Sequence, residues 1–205
     1  MPRSAPPAVR TMLIERAAGM LARREPVSLR ALVAGTGVST MAVYTHFDGM
    51  PGLWRAVRQE GFARLAGRLA EVPTTDDPVR DLAALGTAYA ANAADAPDLY
   101  RAMFDAAADL EDEAVADGSF ALLVAAAARA REAGRLRADV EPARVALRYW
   151  AAGHGVTMLV LGGILDPATA ATENDALAVA ILTDAGDDPA RCRASVAAAR
   201  EAAGT

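Results

Sequence analysis

The stretch that decides the fold reads Val38-Ser-Thr-Met-Ala-Val-Tyr-Thr-His-Phe47. Ser39 is a candidate N-cap for a short helix that runs to Phe47. A second short helix precedes it over residues 28–36, with Ser28 as its candidate N-cap, and closes at Gly35-Thr36-Gly37. Two short helices that are joined by a turn containing glycine are typical of a helix-turn-helix.

The segments on either side extend this pattern to a small helical domain. Leu13, Ile14, Ala17 and Leu21 recur at helical spacing, which predicts a first helix over residues 10–23. Pro51 suits the first turn of a further helix that carries apolar residues to Leu69. The Pro- and Asp-rich segment 72–78 then breaks the pattern, so we expect a domain over residues 10–70, preceded by a flexible arm over residues 1–9.

The second half is predicted to be helical as well. Pro and Gly residues separate apolar helical patterns at about 78–94, 97–110, 114–133 and 142–165, and Asp187 or Asp188 before Pro189 predicts a last helix. Residues 168–183 form either one helix or two pieces. Because no stretch alternates with period two, the predicted fold class is all-α: an N-terminal three-helix helix-turn-helix domain plus a C-terminal helical bundle over residues 71–205.

The composition excludes several classes of protein. The chain has 205 residues, a formal charge of −5, two His and one Cys, so neither an intrachain disulfide nor a Cys/His zinc site is expected. We count 52 Ala, which favours helices with close packing. We expect no metal, no cofactor and no catalytic constellation. The apolar segment 149–165 falls short of the roughly 20 residues that a membrane span requires, and with no signal peptide we expect a cytoplasmic protein.

The acidic net charge hides two halves of opposite sign. Residues 1–70 carry ten Arg and four acidic residues, a charge of +6, whereas residues 71–205 carry 11 Arg and 22 acidic residues, a charge of −11. The basic half contains the predicted helix-turn-helix. The net charge of −5 is therefore no argument against binding of DNA by the N-terminal domain.

The segment 38–47, followed six residues later by Leu53, resembles the recognition-helix signature of TetR/AcrR-family transcriptional regulators. Residues 10–23 and 27–34 resemble the family's first two helices. One position departs from the pattern, because Met50 stands where the family often has a Lys that contacts a phosphate. The resemblance implies a DNA-binding domain joined to a ligand-binding and dimerisation domain, with release from DNA when a small molecule binds.

The same resemblance assigns roles to the residues of the motif. Ser39, Thr40 and Met41 are expected to face the bases, and Tyr44 and His46 the phosphates. Thr45 supplies a further donor near the DNA backbone, and Ser28 combines a cap with a phosphate contact. The expected partners are a near-palindromic operator in double-stranded DNA, a second copy of the chain, and an unknown small-molecule effector.

In the second half, the segment Trp150-Ala-Ala-Gly-His154-Gly155 resembles the C-terminal domain of some TetR relatives, a type that is named for its Trp, His and Gly. Helical spacing places one set of residues on a face that would line a cavity: Trp150, His154, Thr157 and Met158. Val156, Val160 and Gly163 fall on another face, which would pack against a partner. The remaining large side chains either fill the core or line the cavity. They are Tyr89, Tyr100, Met103, Phe104 and Phe120.

Two functions of different class fit these features. The first is a ligand-responsive transcriptional regulator, most simply a repressor that a small molecule releases from its operator. The second is a small helical ligand-binding protein or enzyme whose helix-turn-helix is only structural. The first is favoured because the motif of residues 38–47 is specific, whereas no catalytic set of residues supports an enzyme.

Overall fold

The computed structural model describes residues 7–104, 110, 112 and 114–203, and these residues contain helices and no strand. This confirms the all-α fold class. No described helix is both long enough and apolar enough to cross a membrane. The helices are α1 (Pro7–Ala22), α2 (Leu29–Val33), α3 (Met41–Phe47), α4 (Met50–Ala70), α5 (Pro78–Asp95), α6 (Pro97–Met103), α7 (Ala114–Glu132), α8 (Pro142–Leu161), α9 (Pro167–Asp184) and α10 (Pro189–Ala203).

Packing divides the described chain into two compact units. The N-terminal unit takes the residues up to 64 together with those from 96 to 116, and the C-terminal unit takes 65–95 and the residues from 117 onwards. The sequence boundary after residue 70 therefore differs from this division, since α6 packs with the N-terminal unit. Periodicity describes one helix at a time and carries no information on which unit a short helix such as α6 joins. Of the predicted arm, residues 1–6 lie outside the described residues, and α1 begins at Pro7.

A single apolar core holds the N-terminal unit together. Each of its helices contributes at least one buried side chain, and Gly61 lets α4 approach α6 closely, because a Cβ there would lie 2.5 Å from the Cβ of Met103. Burial of these side chains supplies the main stabilising free energy of the unit. The core residues include Leu13, Ile14 and Ala17 of α1, Leu32 of α2, Val43 and Phe47 of α3, Leu53 and Val57 of α4, and Leu99 of α6.

The turn between α2 and α3 depends on two glycines. Gly35 and Gly37 both have φ of 73°, the left-handed region that favours glycine. Between them, the Thr36 hydroxyl donates to the carbonyl of Val33 at 2.7 Å and accepts from the N–H of Val38 at 3.2 Å. These bonds hold the end of α2 and the approach to α3 in one arrangement.

The two predicted caps of this motif have different outcomes. The Ser28 hydroxyl accepts from the N–H of Ala31 at 3.2 Å, which confirms Ser28 as the N-cap of α2. The prediction for Ser39 is wrong, because the N-cap of α3 is Thr40, which makes no side-chain cap bond. Thr40 already has helical backbone angles, and the carbonyls of Ser39 and Thr40 accept from the N–H groups of Ala42 and Val43. The first turn is thus closed by backbone bonds.

In the C-terminal unit, α5 packs against α8, α9 and α10, and α8 packs along α9. A buried ion cluster joins distant segments of this unit. Arg135, 2% exposed, donates to both carboxylate oxygens of Asp187 at 2.6 and 2.7 Å and to Asp77 at 2.8 Å. The Ser195 hydroxyl donates to the second oxygen of Asp77 at 2.6 Å. One guanidinium serves both carboxylates, and Asp77 also accepts from Ser195 and from backbone N–H groups, so the cluster tolerates its burial.

Several predicted helix ends shift. Helix α6 ends at Met103, and residues 105–109 of the predicted helix 97–110 lie outside the described residues. Helix α8 ends at Leu161 rather than at 165, since Gly163 has φ of 70° and terminates it. The open question at 168–183 is resolved as one helix, α9, which Asp166 caps. Asp188 caps α10 by accepting from the N–H groups of Ala190 and Arg191, as predicted.

Candidate nucleic-acid interface and ligand cavity

Helix α3 is anchored on one side and exposed on the other. Val43 and Phe47, four residues apart, are buried in the core of the N-terminal unit. On the opposite side Met41 is 64% exposed and Tyr44 is 50% exposed. Met41 and Tyr44 lie three residues apart and together form an exposed patch on this short helix, so this face is the candidate contact surface.

The remaining predicted DNA-binding residues lie around this face. Ser28, Ser39 and Thr45 are exposed, and Thr40 is half-buried at the start of α3. The Thr45 hydroxyl donates to the carbonyl of Met41 at 2.9 Å, so its oxygen is left to accept. The structure therefore groups Ser39, Thr40, Met41, Tyr44 and Thr45 at one helix and places Ser28 at the N-terminus of the neighbouring helix.

His46 differs from the other residues of the motif. It is half-buried, and its Nε2 is shielded from solvent with no hydrogen-bond partner among the described residues. A phosphate contact from this ring would have to use Nδ1. The ring also lies 5.9 Å from that of Phe47, so part of its role is packing.

Two arginines support the motif in ways that the sequence analysis missed. The Arg16 guanidinium donates to the carbonyls of Ala31 and Ala34 at 3.3 and 2.8 Å, and so caps the C-terminal end of α2. The Arg10 guanidinium lies over the ring of Phe47, 5.6 Å from its centre. Helical spacing marks both as polar positions of α1, but it gives no hint of which backbone or ring they reach.

The start of α4 approaches α3 so closely that only glycine fits. A Cβ on Gly52 would lie 1.6 Å from the carbonyl oxygen of Phe47. Asp48 and Gly49 turn the chain between the two helices with φ of 56° and 99°. The backbone of this segment therefore fixes the end of α3 through contact rather than through a side chain.

The C-terminal unit contains a partly open cavity of about 170 Å³ among α5, α8, α9 and α10. Most of its wall is apolar, and the charged residues that line it are Asp175 and Arg200, whose side chains pair at 2.8 Å. A small apolar cavity with few polar groups is the usual form of a small-molecule site. The lining includes Leu69, Ala83, Leu85, Gly86, Tyr89, Leu123, Tyr149, Trp150, Gly153, Thr157, Asn174, Leu177, Ile181 and Val196.

Four of the predicted ligand-binding residues form one network at this cavity. The Tyr89 hydroxyl accepts from the Trp150 indole N–H at 3.2 Å and lies 3.0 Å from Nδ1 of His154. The ring of Phe120 meets that of Trp150 edge-on at 6.3 Å. Burial lowers the pKa of His154, which favours the neutral ring, and a neutral Nδ1 can accept the Tyr89 proton. Tyr89 and Trp150 line the cavity directly, with His154 and Phe120 behind them.

The structure places the other four predicted residues elsewhere. Tyr100 and Met103 are buried in the N-terminal unit, where the ring of Phe104 packs edge-on against those of Tyr100 and Phe62 at 5.1 and 5.7 Å. Met158 is exposed on α8 and is not part of the cavity wall. Val156, predicted to face a partner chain, is buried, because it turns toward the interior of its own unit.

Sequence reasoning also missed residues that line the cavity. Tyr149 and Gly153 lie four residues apart on α8, on one face with Thr157, which was expected to line the cavity and does so. Asp175 of α9 and Arg200 of α10 reach the same cavity from two separate helices. Helical spacing on α8 could have indicated that Tyr149 and Gly153 line the cavity. The contribution of Asp175 and Arg200 depends on tertiary packing.

Comparison with known proteins agrees with this architecture. The family model described as "Tetracyclin repressor-like, C-terminal domain" matches residues 82–185, which is just over half of the chain. No curated protein matches the sequence. The match does not confirm the subtype named for Trp, His and Gly.

Three solved structures are similar over most of the chain. A protein of unknown function from Rhodococcus sp. RHA1 is 27% identical with a TM-score of 0.70, and the alignment covers 91% of this chain and 100% of that one. A structure described as the molecular basis for control of antibiotic production by bacterial hormones is 26% identical, with a TM-score of 0.66 and coverage of 84% and 97%.

The third, the TetR-family transcriptional regulator PfmR from Thermus thermophilus, is 19% identical with a TM-score of 0.71 and coverage of 83% and 97%. At that identity it supports the fold alone. Together with the family model and the helix-turn-helix of α2 and α3, these likenesses lead to one conclusion: the chain belongs to the TetR family of ligand-responsive transcriptional regulators.

Proposed function

We propose that this chain is a dimeric repressor that reads a near-palindromic operator with α3 and leaves it when a small molecule occupies the cavity of the C-terminal unit. The observation that carries the proposal is the face of α3, where Met41 and Tyr44 are exposed while Val43 and Phe47 hold the helix in the core. A helix held in this way can enter the major groove without losing its packing.

The positions of the side chains suggest a division of roles. Ser39, Thr40 and Met41 stand at the leading end of α3, which is the end that reaches base edges in helix-turn-helix proteins. Tyr44 and His46 lie farther along and would contact the phosphates, as would Ser28 at the start of α2. Thr45 would join them once its hydroxyl leaves the carbonyl of Met41 and is free to donate. Phosphate contacts position the protein on the duplex, whereas base contacts specify the sequence.

The exposed face of α8 supports a dimer. Leu147 and Leu159 are exposed, and Ile164 just beyond the helix is 75% exposed. Between the two leucines, Ala151 and Gly155 are exposed on the same side of the helix, so another helix could approach closely. A contiguous apolar stripe of this kind on a protein surface marks an interface, and a second copy of the chain is the occupant that two-fold symmetry favours.

Footprinting on the promoter region beside the gene tests the proposal. We expect a protected site with two related half-sites whose centres are separated by about one helical turn of DNA or a multiple of it, since a two-fold dimer faces successive major grooves. Sedimentation of the free protein should give the mass of a dimer. A monomer that protects no DNA would support a ligand-binding protein whose helix-turn-helix is only structural.

A role that rests on binding has two further consequences. The chain needs no catalytic residues, so we propose that it is not an enzyme. Access to operator DNA further requires a cytoplasmic location, which belongs to the same proposal.

A further inference from the structure

The size of the cavity in the C-terminal unit limits its ligand. A closed apolar cavity of about 150 Å³ is large enough to bind benzene. The cavity here measures about 170 Å³, so it holds a single six-membered ring with one small substituent. Two helical glycines contribute to this space: a Cβ on Gly153 would meet nothing within 4 Å, whereas one on Gly86 would lie 2.2 Å from the Tyr149 hydroxyl oxygen.

The charges of the cavity favour a neutral ligand. Among the described residues that line it, Asp175 and Arg200 are the charged ones, and they neutralise each other at 2.8 Å. A ligand with a charge of its own would find no free counter-charge, and burial of an unpaired charge is costly. Burial also raises the pKa of Asp175 despite the nearby Arg200, which indicates an environment that disfavours charge.

The polar groups of the cavity differ in whether they are already engaged. The hydroxyls of Thr87 and Thr157 donate to backbone carbonyls of their own helices, and that of Tyr89 is bonded to Trp150 and His154. The hydroxyl of Tyr149 and the side-chain amide of Asn174, by contrast, are hydrogen-bonded to no group in the described part of the chain, and of the two Tyr149 lies on α8, beside Gly86. Burial raises the pKa of this phenol, with a further contribution from Asp175, so it stays protonated and can donate.

We propose that the cavity takes a neutral molecule about one aromatic ring in size, whose single polar group hydrogen-bonds the Tyr149 hydroxyl. This inference rests on the proposed function, because it treats the cavity as the effector site. It names the class of effector: small, uncharged, ring-shaped and amphipathic. The ring packs among the leucines of the wall and beside Trp150. The polar group points toward the Tyr149 hydroxyl, which lies beside Gly86.

Four fluorinated benzenes of nearly equal size test the inference in fluorine NMR titrations of the full chain at about pH 7. They are 4-fluorophenol, fluorobenzene, 4-fluorobenzoate and 4-fluorobenzylammonium. We expect 4-fluorophenol to bind most tightly, and the anion and the cation to bind at least about 10-fold more weakly. A charged compound that binds as tightly as the phenol, or no binding of the phenol, would overturn the inference.

Tyr149→Phe tests the hydrogen bond. It should weaken binding of 4-fluorophenol by about 2- to 10-fold, the usual range for one neutral bond. Fluorobenzene lacks the polar group, so an unchanged affinity for it shows that the cavity of the variant is intact. If the variant loses fluorobenzene as well, Gly86→Ala, which displaces the hydroxyl but keeps it, supplies the same comparison. An unchanged preference for the phenol in both variants contradicts the assignment of Tyr149.

Gly153→Leu separates this inference from the function on which it rests. Its side chain fills the cavity from α8, so it should abolish binding of every probe while the helical circular dichroism of the chain is retained. Retained binding of the phenol in this variant places the probe outside the cavity and refutes the inference. Failure of the proposed function would be recognised by a different result. The wild-type chain would then not bind its operator, whether or not it binds the fluorinated probes.

Discussion

Helices α3 and α8 differ in whether their candidate functional side chains face solvent or the interior. Helix α3 buries two apolar anchors and turns Met41 and Tyr44 to solvent. Helix α8 turns Tyr149, Trp150 and Thr157 toward a cavity, and exposes apolar residues such as Leu147 and Leu159. The candidate chemistry of the N-terminal unit therefore lies on its surface, whereas that of the C-terminal unit lies inside. Substitutions that distinguish surface from interior should consequently affect the two units in different ways.

The largest effect is expected from the interior of the C-terminal unit. Arg135→Met leaves Asp187 buried without its positive partner and removes one partner of Asp77. Breaking a buried ion pair in this way costs about 3–5 kcal/mol of the free energy of unfolding. Urea denaturation followed by circular dichroism measures it.

Arg148→Met is the matched control for that variant. Arg148 pairs with Asp184 at 3.2 Å, but both side chains are exposed, so the expected loss is about 0–1 kcal/mol. Equal losses in the two variants would mean that the Arg135 cluster contributes no more than a surface ion pair.

The next effect concerns the backbone of the N-terminal unit. In Gly52→Ala the new Cβ cannot be accommodated beside the carbonyl of Phe47, so α3 must shift, at a cost of about 1–3 kcal/mol or more. We expect loss of operator binding, measured by fluorescence anisotropy.

Gly67→Ala in the same helix meets nothing within 4 Å, and we expect it to stabilise α4 by about 1 kcal/mol with DNA binding retained. Operator binding by Gly52→Ala at the level of Gly67→Ala would show that the close approach of α4 to α3 is not needed for the reading surface.

A smaller and more selective effect is expected at the exposed end of α3. Thr40 makes no side-chain cap bond, so Thr40→Ala should leave the helix intact. If Thr40 contacts a base, the variant should lose about 1–3 kcal/mol of discrimination at one base pair. Titrations with the operator and with its single-base variants measure this change.

Tyr44→Phe removes the hydroxyl that we propose donates to a phosphate, so it should weaken binding to all duplexes alike. Identical effects of Tyr44→Phe and Thr40→Ala on operator and random DNA would refute the division of roles between them.

The smallest effect is a pH dependence in the C-terminal unit. The pKa of Asp77 is lowered, because the hydrogen bonds from Ser195 and the backbone and the charge of Arg135 outweigh the raising effect of burial. A carboxyl with a lowered pKa contributes stability above its unfolded pKa and loses it as the pH falls through the folded one. Urea midpoints at about pH 5 and pH 3 should therefore fall more for the wild type than for Asp77→Asn. An equal fall in both would exclude Asp77 as a source of acid sensitivity.

The two units also differ in how far the sequence predicts them. The helix-turn-helix follows from neighbouring residues: Gly35 and Gly37 make the turn, Ser28 caps α2, and Val43 and Phe47 anchor α3. Each of these residues determines the structure of a segment only a few residues away in the sequence. The cap at Ser39 is the exception, because nothing in the sequence shows that the first turn closes through backbone bonds.

The cavity, by contrast, depends on side chains brought together from separate helices. Trp150 and His154 were recognisable by their spacing on one helix, and Tyr89 and Phe120 by their size. Tyr100, Met103 and Phe104 have the same size and type, yet they lie in the N-terminal unit because α6 packs there. Large side chains in an Ala-rich chain indicate where volume is filled, but tertiary packing decides which unit they fill.

One titration tests the central claim, that the exposed face of α3 reads a specific DNA sequence. The wild-type chain, without ligand, is titrated against the promoter duplex beside its gene and against a scrambled duplex of equal composition, at several salt concentrations. We predict binding to the promoter duplex that is tighter by about 1,000-fold or more, with affinity that falls steeply as salt rises. Equal affinity for the two duplexes at every salt concentration would contradict it.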